Sequence, residues 1–468
     1  MNSIIAPSLP ANIKSMRQTG LILTIVPVVA SGVLIGIFGL QVFWGVLGVL
    51  AGLIFLSLSI LYERFALYLL IVMLPLVELL RVDLIPSTLL IIPGGLAIVS
   101  LLASIVLRKK KIFISSPLVL LAVLLGVWAS IATASVGSIS ESRPYWLVIV
   151  LLFLVPNAFT RKEHLLRACW LFLLPLGVLG AYVFFSRLFV YLGAQEISME
   201  SLHLANLGIG GKNIIGMWLT QGIVFVYYLF NHYKNEPGKR FWLLTSGGAM
   251  FAGALATLSI SVAIGLSIMV ALIAWLQPRV IARLRALTLG IAIILIIFSG
   301  PISERMQNQN LTSLDENWGT YRGAIWEAGY RTIMDHPVLG IGLKPARRSA
   351  MMKYTDIWFV QQWYALGILV VPHNIFLSVG VETGLPGLVL YLALLSAVFF
   401  LLWNLRRREE YLEAFSLQVF ANILLVALIV GWVQGMALSV HLDKIMWFLM
   451  GSAIALGQIA RNEMLSQE

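Results

Sequence analysis

The sequence predicts an all-α polytopic membrane protein, and three observations support that fold class. Of the 468 residues, 60% are hydrophobic and 11% are charged, whereas soluble domains average roughly 45–50% and about 25%. Long apolar runs recur along the chain, each close to the ~20 residues that a helix needs to cross a bilayer. The runs are continuous rather than alternating, which is typical of helices and not of a barrel. Together these features exclude a soluble enzyme.

Fourteen apolar segments are candidate spans, and twelve to fourteen of them are expected to cross the membrane. The uncertain ones are the first two and the short pair within 241–276. The first run, Thr19 to Leu40, follows Lys14 and Arg17 and is predicted to be a retained signal anchor, because it is as long as a full span. The candidate segments are 20–40, 42–61, 65–80, 87–107, 117–134, 144–159, 168–192, 213–231, 241–257, 259–276, 286–300, 374–403, 412–438 and 445–460.

The net charge of +11 is interpreted by position, because lysine and arginine concentrate on the cytoplasmic side of membrane proteins. With a cytoplasmic N-terminus, 20 of the 32 basic residues fall in cytoplasmic loops. The positive charge therefore indicates how the chain is oriented in the membrane, and we expect no nucleic-acid partner. Both termini are predicted to be cytoplasmic, with N-terminal spans in 1–300, one external subdomain in 301–373 and C-terminal spans in 374–468. Long loops on a rigid scaffold commonly carry function.

Metal and redox chemistry are not expected. Cys169 is the only cysteine, and no cysteine and histidine spacing resembles a metal site. The external segments contain no paired-aspartate motif of the kind that holds a divalent ion for nucleotide-sugar transfer. We therefore expect no cofactor.

The external segment is predicted to begin its folded part with a helix around residues 321–335. Helical spacing puts Arg322, Trp326 and Gly329 on one face. The alternative is an amphipathic helix that lies on the membrane surface, with Glu327 and Arg331 as an ordinary i,i+4 pair. After the helix, Gly340 and Gly342 suit a tight turn or the close approach of backbone to a ligand.

Basic residues then cluster without any acid between them, and they suit the phosphates of a lipid carrier. The alternative is an anchor to lipid headgroups. The cluster comprises Lys344, Arg347, Arg348 and Lys353.

The next motif places an imidazole and an amide, His373 and Asn374, at the start of a span, roughly two and a half helical turns before Glu382. A histidine there could act as a general base. The alternative is a capping or interfacial residue.

Two further cations lie at the external ends of earlier spans. Arg187 is placed toward the end of one span, and Lys212 with Asn213 follows two glycines at the start of the next. A helix N-terminus with a cation favours an anion. The alternative for both cations is snorkelling to the headgroups.

The order of these motifs resembles the O-antigen ligase and polymerase superfamily. The resemblance is carried by Arg322 with Trp326, by the segment 336–342, by His373-Asn374, and by the segment 382–387. It implies a GT-C-like membrane fold and a metal-independent glycosyltransferase in the bacterial inner membrane, working on its periplasmic face. The implied donor is a glycan on undecaprenyl diphosphate, and the acceptor is either a lipid A-core sugar, for a ligase, or another carrier-linked glycan, for a polymerase.

The resemblance also implies roles for individual residues. His373 is the expected base for the acceptor hydroxyl, and Arg322 is the expected partner of the diphosphate leaving group. The residues expected to bind substrate are Lys212, Asn213, Arg187, Arg347, Arg348, Asn374 and Glu382.

One departure leaves alternatives open. Family members often carry a Ser-Arg pair at the end of an earlier span, and the nearest segment here, residues 257–261, has no arginine. Another cation such as Arg347 or Arg348 could substitute, this member could have altered chemistry, or the chain could be a scaffold without activity. A small-anion transporter is the alternative from another class, although few ionisable groups lie deep in the spans and no repeat symmetry is seen.

Overall fold

The structure is a computed structural model, and its helices follow the apolar segments. It describes residues 52–59, 61–62, 64–80, 91–108, 116–191, 211–276, 318–343, 351–357, 371–407 and 417–465, with the single positions 288, 360, 361 and 365. These residues form helices joined by turns, and no strand occurs among them. The helices are α1 Phe65–Leu80, α2 Ile91–Arg108, α3 Pro117–Val136, α4 Arg143–Ala158, α5 Lys162–Tyr191, α6 Gly211–His232, α7 Pro237–Ala256, α8 Ile260–Leu276, α9 Trp318–Asp335, α10 Ile375–Arg407, α11 Leu417–Gly435 and α12 Lys444–Leu465.

The polytopic all-α class is confirmed. Six of the described helices are long and apolar enough to cross a membrane, namely Pro117–Val136, Ile139–Ala158, Lys162–Leu188, Gly211–His232, Ile375–Arg407 and Leu417–Gly435. Eleven of the fourteen predicted segments fall on helices, including two separate helices within 241–276. The predicted segment 20–40, all of 286–300 except position 288, and most of 42–61 lie outside the described residues, so the total of twelve to fourteen stays a prediction.

The chain divides into two compact units, which are described separately. The first comprises Met1–Ala66 and Ile92–Lys110. Its helical residues 52–59 are linked to α2 by a hydrogen bond from the hydroxyl of Ser100 to the carbonyl oxygen of Ser59, at 2.6 Å. Small polar side chains of this kind let two apolar helices approach and bond.

The second unit comprises Leu67–Ile91 and Lys111–Glu468 and contains helices α3 to α12. The helices α6, α11 and α12 are its most enclosed elements, with Trp447 and Leu428 fully buried. Glycine lets α5 and α7 pack against one another, since a Cβ on Gly253 would lie 2.4 Å from the carbonyl oxygen of Gly180. Close backbone contact of this type is a common device between membrane helices.

Polar contacts gather at one end of the second unit, which we call the site end. There the start of α6 meets the turn between α7 and α8, because a Cβ on Gly216 would lie 3.4 Å from the Thr257 hydroxyl. The end of α11 meets the start of α10, with Gly435 beside Ile375. At the other end, which we call the opposite end, Lys162 and Glu463 form an ion pair at 3.0 Å.

Candidate active site

The site end is organised by a break in α10. Gly384 has φ +70° and ψ −174°, values that favour glycine because a Cβ is strained there. The next residue but one is Pro386, which has no N–H for the carbonyl of Glu382. The break therefore exposes backbone groups that need partners from elsewhere in the chain.

The turn after α9, residues 337–342, supplies most of those partners. Ile341 N–H donates to the Val381 carbonyl at 2.8 Å, and Gly342 N–H donates to the Glu382 carbonyl at 3.0 Å. In return, Leu385 N–H donates to the Pro337 carbonyl at 2.7 Å. Irregular backbone within a membrane helix is tolerated only where protein groups satisfy it in this way.

One more hydrogen bond and one close backbone approach are found around the break. Trp128 of α3 donates from Nε1 to the Thr383 carbonyl at 2.8 Å. Gly340 has φ +63°, and a Cβ there would lie 2.5 Å from the Val381 carbonyl oxygen. The glycines of 336–342, which were predicted to suit a tight turn or a close approach to a ligand, therefore lie in a turn whose backbone closely approaches the broken helix.

Helix α9 lies alongside the first part of α10 and runs in the same direction. Gly329 faces Leu377 and Val381, and Ile333 further along α9 faces Gly380. Arg322 lies about two turns before Gly329 on the same face of α9 and is half-buried. Because a helix rises 1.5 Å per residue, Arg322 lies about 10 Å before Gly329 along α9.

The start of α10 has an unusual backbone. His373 is half-buried and has φ +47°, a conformation that is uncommon for a residue with a side chain. Asn374 caps the helix, since its Oδ1 accepts from the N–H groups of Phe376 at 2.9 Å and Leu377 at 3.2 Å. The capping role considered for this motif therefore belongs to Asn374, whose side chain is bound to its own helix.

The subdomain around α9 has exposed ion pairs. The i,i+4 pair that belongs to the alternative interpretation of this helix, Glu327 with Arg331, is present at 2.5 Å, and Arg331 also contacts Asp356 at 2.5 Å. Lys353 pairs with Asp335, and this contact lowers the pKa of Asp335 and raises that of Lys353. The ammonium group of Lys353 is thus paired with the carboxylate of Asp335. The other members of its basic cluster, Lys344, Arg347 and Arg348, lie outside the described residues.

The cations of the earlier spans also lie at the site end. Lys212 and Asn213 are half-buried in the first turn of α6. Arg187 is half-buried near the site end of α5. Their predicted convergence with Arg322 on one donor stays a prediction.

Glu382 is enclosed, with 7% of its surface exposed. Its Oε2 accepts a hydrogen bond from the Tyr145 hydroxyl at 3.3 Å and one from His441 Nε2 at 2.8 Å. The imidazole beside this carboxylate is therefore His441 and not His373. His441 and Tyr145 are 59 and 237 residues from Glu382 in sequence, so no local spacing signals their contact.

Residues 436–443, which join α11 to α12, form a second feature that the sequence reasoning missed. Asp443 accepts from Trp218 Nε1 of α6 at 3.0 Å and caps α12 through Met446 N–H at 2.9 Å. The Ser439 hydroxyl lies 2.9 Å from the Ser378 hydroxyl of α10. An aspartate or serine beside a helix start is a recognisable cap signal, but its long-range partners are set by the packing.

Residues 257–261, where the sequence lacks the expected arginine, form the buried turn between α7 and α8. Leu258 has φ +49°, and Thr257, Ser259 and Ser261 are buried. The carbonyl of Ser261 accepts from Gln434 Nε2 at 3.2 Å. This turn is filled by hydroxyl groups and an amide.

Comparison with known proteins agrees with the motifs. Residues 249–392 match the family described as O-Antigen ligase, a stretch that includes α8, α9 and the break in α10. Comparison with curated proteins finds no match. Over residues 249–392, the family match confirms the O-antigen ligase superfamily that the order of motifs indicated.

Proposed function

We propose that the protein is a metal-independent glycosyltransferase that moves a glycan from undecaprenyl diphosphate to an acceptor sugar of lipid A-core. The observation that carries the proposal is the arrangement of α9 and α10 within the matched family segment. Since α9 packs against the first part of α10 and Arg322 lies about two turns before that contact, we infer that Arg322 approaches the helix start that holds His373. A cation for a leaving diphosphate and a base for a hydroxyl are the two groups that this chemistry requires.

In the proposed reaction, His373 accepts the proton of the acceptor hydroxyl as its oxygen attacks the anomeric carbon of the donor glycan. The new glycosidic bond forms as the bond from that carbon to the diphosphate oxygen breaks. Undecaprenyl diphosphate leaves with the electron pair, and Arg322 stabilises the negative charge that develops on it. Lys212, Asn213 and Arg187 at the site end, with Arg347 and Arg348, are proposed to contact the donor.

We further propose that the site end faces the periplasm. In the second unit, the described basic residues of the helix ends are concentrated at the opposite end, as the positive-inside rule expects for a cytoplasmic face. Those residues are Arg161, Lys162, Arg167, Lys234, Lys239, Arg240, Arg406, Arg407 and Arg461. The external position suits a lipid-linked donor, whose tail stays in the bilayer while its diphosphate and glycan reach the surface.

The direct test is transfer by the purified protein in proteoliposomes, with an undecaprenyl diphosphate-linked glycan as donor. Lipid A-core and a second carrier-linked glycan are offered separately as acceptors, and products are identified by gel and mass spectrometry. Glycosylated lipid A-core supports a ligase, and a lengthened carrier-linked chain identifies a polymerase. If the protein carries small anions across the membrane and transfers no glycan, the proposal is wrong and the transporter alternative is favoured.

Substitutions then test the two proposed chemical roles. His373→Ala is expected to lower kcat by about 10²–10⁴-fold, the usual contribution of a general base. Arg322→Ala is expected to lower it by about 10²–10³-fold, as for loss of one charge-stabilising donor. The matched controls are His336→Ala and Arg331→Ala, which remove an exposed histidine of the same subdomain and a second arginine of α9. Full activity of the His373 variant, or an equal loss in the His336 control, would remove His373 from the mechanism.

A further inference from the structure

The buried contact between Glu382, His441 and Tyr145 brings together three distant parts of the second unit. Tyr145 lies in α4, Glu382 lies at the break of α10, and His441 lies in the 436–443 turn. The three residues are exposed by 1%, 7% and 5% of their surfaces. Ionisable groups are costly inside a membrane protein, so a buried group of this kind calls for a functional explanation.

Stability alone does not explain the contact. Replacing a buried ionisable pair by apolar side chains of similar volume is often neutral or stabilising. His441 also keeps Nδ1 buried without a hydrogen-bond partner among the described residues, which is itself unfavourable. A buried pair of this kind can fix one arrangement of the segments that carry it, because any other arrangement leaves buried polar groups without partners.

The geometry that it defines is that of the 436–443 turn. This turn is bonded to α10 at two levels, through Ser439 to Ser378 and through His441 to Glu382. Through Asp443 it is also bonded to Trp218 of α6. The main chain of the turn is held in addition by Trp447 Nε1, which donates to the His441 carbonyl at 2.7 Å.

The turn therefore connects the two helix starts that carry proposed site residues. The start of α10 holds His373 and Asn374, and the start of α6 holds Lys212 and Asn213. Trp218 lies less than two turns from Lys212, and Ser378 lies in the first turn of α10. A shift of the turn would move these two helix starts relative to one another.

We propose that Glu382 and His441 are positioning residues, which hold the 436–443 turn so that the starts of α6 and α10 keep the spacing that glycan transfer requires. The inference rests on the proposed function, and it gives Glu382 a role in place of the substrate contact that the sequence predicts. Because a displacement of about 1 Å can lower a rate by about 10²-fold, loss of the pair lowers kcat. Donor binding is retained, because the groups proposed to contact the diphosphate remain.

The first experiment compares steady-state kinetics of the reconstituted protein and its variants. Glu382→Ala and His441→Ala are expected to lower kcat by about 10²-fold, with KM for the donor within about 2-fold of the unmodified protein. Glu382→Gln and His441→Gln keep an acceptor and a donor at these positions and are expected to retain more activity. His164→Ala is the control, because it removes a buried histidine at the opposite end whose Nδ1 bonds the Thr160 N–H of the same segment.

The second experiment tests whether a tether can replace the pair. Ser378→Cys with Ser439→Cys places two thiols where the hydroxyl oxygens lie 2.9 Å apart, in a background in which the buried Cys169 is changed to alanine. When the disulfide is formed in the Glu382→Ala protein, kcat is expected to recover by at least about tenfold and to fall again on reduction. If Glu382 contacted the substrate directly, or contributed only to the overall stability of the protein, the disulfide would not restore kcat.

The outcomes separate this inference from the proposed function. A formed disulfide that restores nothing, or a Glu382 variant that raises donor KM with kcat unchanged, would overturn the positioning role. The rate of disulfide formation gives a readout without activity, and we expect it to be slower in the Glu382→Ala protein than with Glu382 present. Equal rates would overturn the inference whether or not transfer occurs, whereas absence of transfer by the unmodified protein contradicts the proposed function alone.

Discussion

The two ends of the second unit hold their polar groups in different ways. At the site end, Glu382 and His441 are almost fully enclosed. At the opposite end, Lys162 and Glu463 form an ion pair whose side chains are 24% and 35% exposed, and Arg406 stacks on Trp403 with its guanidinium 4.8 Å from the ring centre. Water can replace a lost partner only where a group is exposed. The same kind of substitution should therefore be severe at the site end and mild at the opposite end.

The largest effect on stability is expected at the break of α10. Gly384→Ala places a Cβ 2.3 Å from the Val338 carbonyl oxygen at φ +70°, so backbone must move on either side. We expect the free energy of unfolding to fall by about 3 kcal/mol or more, measured by thermal unfolding of the detergent-solubilised protein. Transfer activity should fall with it, because the break also sets the position of Glu382.

Gly248 provides the control for this substitution. It lies within α7, and a Cβ there meets nothing within 4 Å. Gly248→Ala should be neutral or stabilise the protein by up to about 1 kcal/mol. Equal stability of the two variants would contradict the account of the break as a close backbone contact.

A smaller effect is expected from the indole of Trp128. Trp128→Phe keeps an aromatic ring but removes the N–H that bonds the Thr383 carbonyl at 2.8 Å. A buried carbonyl without a partner costs about 1–3 kcal/mol, and we expect a loss in that range by the same unfolding measurement. The control is Trp242→Phe in α7, since Trp242 is 64% exposed. If both variants unfold alike, the backbone of the break does not depend on α3.

The helices could be predicted from the sequence because an α-helix pairs its backbone N–H and C=O groups within one continuous segment. Apolar length and continuity identified eleven of the described helices, and the i,i+4 spacing identified the Glu327–Arg331 pair. The glycines of 336–342 were recognised as suited to a tight turn or to a close approach to a ligand. Their partner was not, because the break at Gly384 lies more than 40 residues further along the chain.

The candidate site was predictable in its motifs and not in its contacts. The order of the motifs, which are Arg322 with Trp326, the segment 336–342, His373-Asn374 and the segment 382–387, indicated the family that the comparison confirms over residues 249–392. The carboxylate of Glu382 was assigned to substrate, yet it faces His441 and Tyr145. A histidine in a short turn and a tyrosine in an apolar helix give no signal of their own, and only the packing of α4, α10 and the 436–443 turn brings them together.

The smallest effect is expected at the opposite end, where the ion pair of Lys162 and Glu463 can be broken. Lys162→Met removes one partner of a contact at 3.0 Å that water still reaches. Exposed pairs contribute about 0–1 kcal/mol, so the unfolding free energy should change by less than about 1 kcal/mol, and transfer should be unaltered.

A double-mutant cycle with Glu463→Gln isolates the interaction from other effects of each substitution. We expect a coupling energy below about 1 kcal/mol that decreases with added salt, because the charges are screened by the solvent. A coupling above about 2 kcal/mol would mean that the opposite end depends on its polar contacts as the site end does. The two ends would then differ in the elements that their polar contacts position and not in the strength of those contacts. The contacts described for the site end position the helix starts that carry His373 and Lys212, whereas the Lys162–Glu463 pair does not.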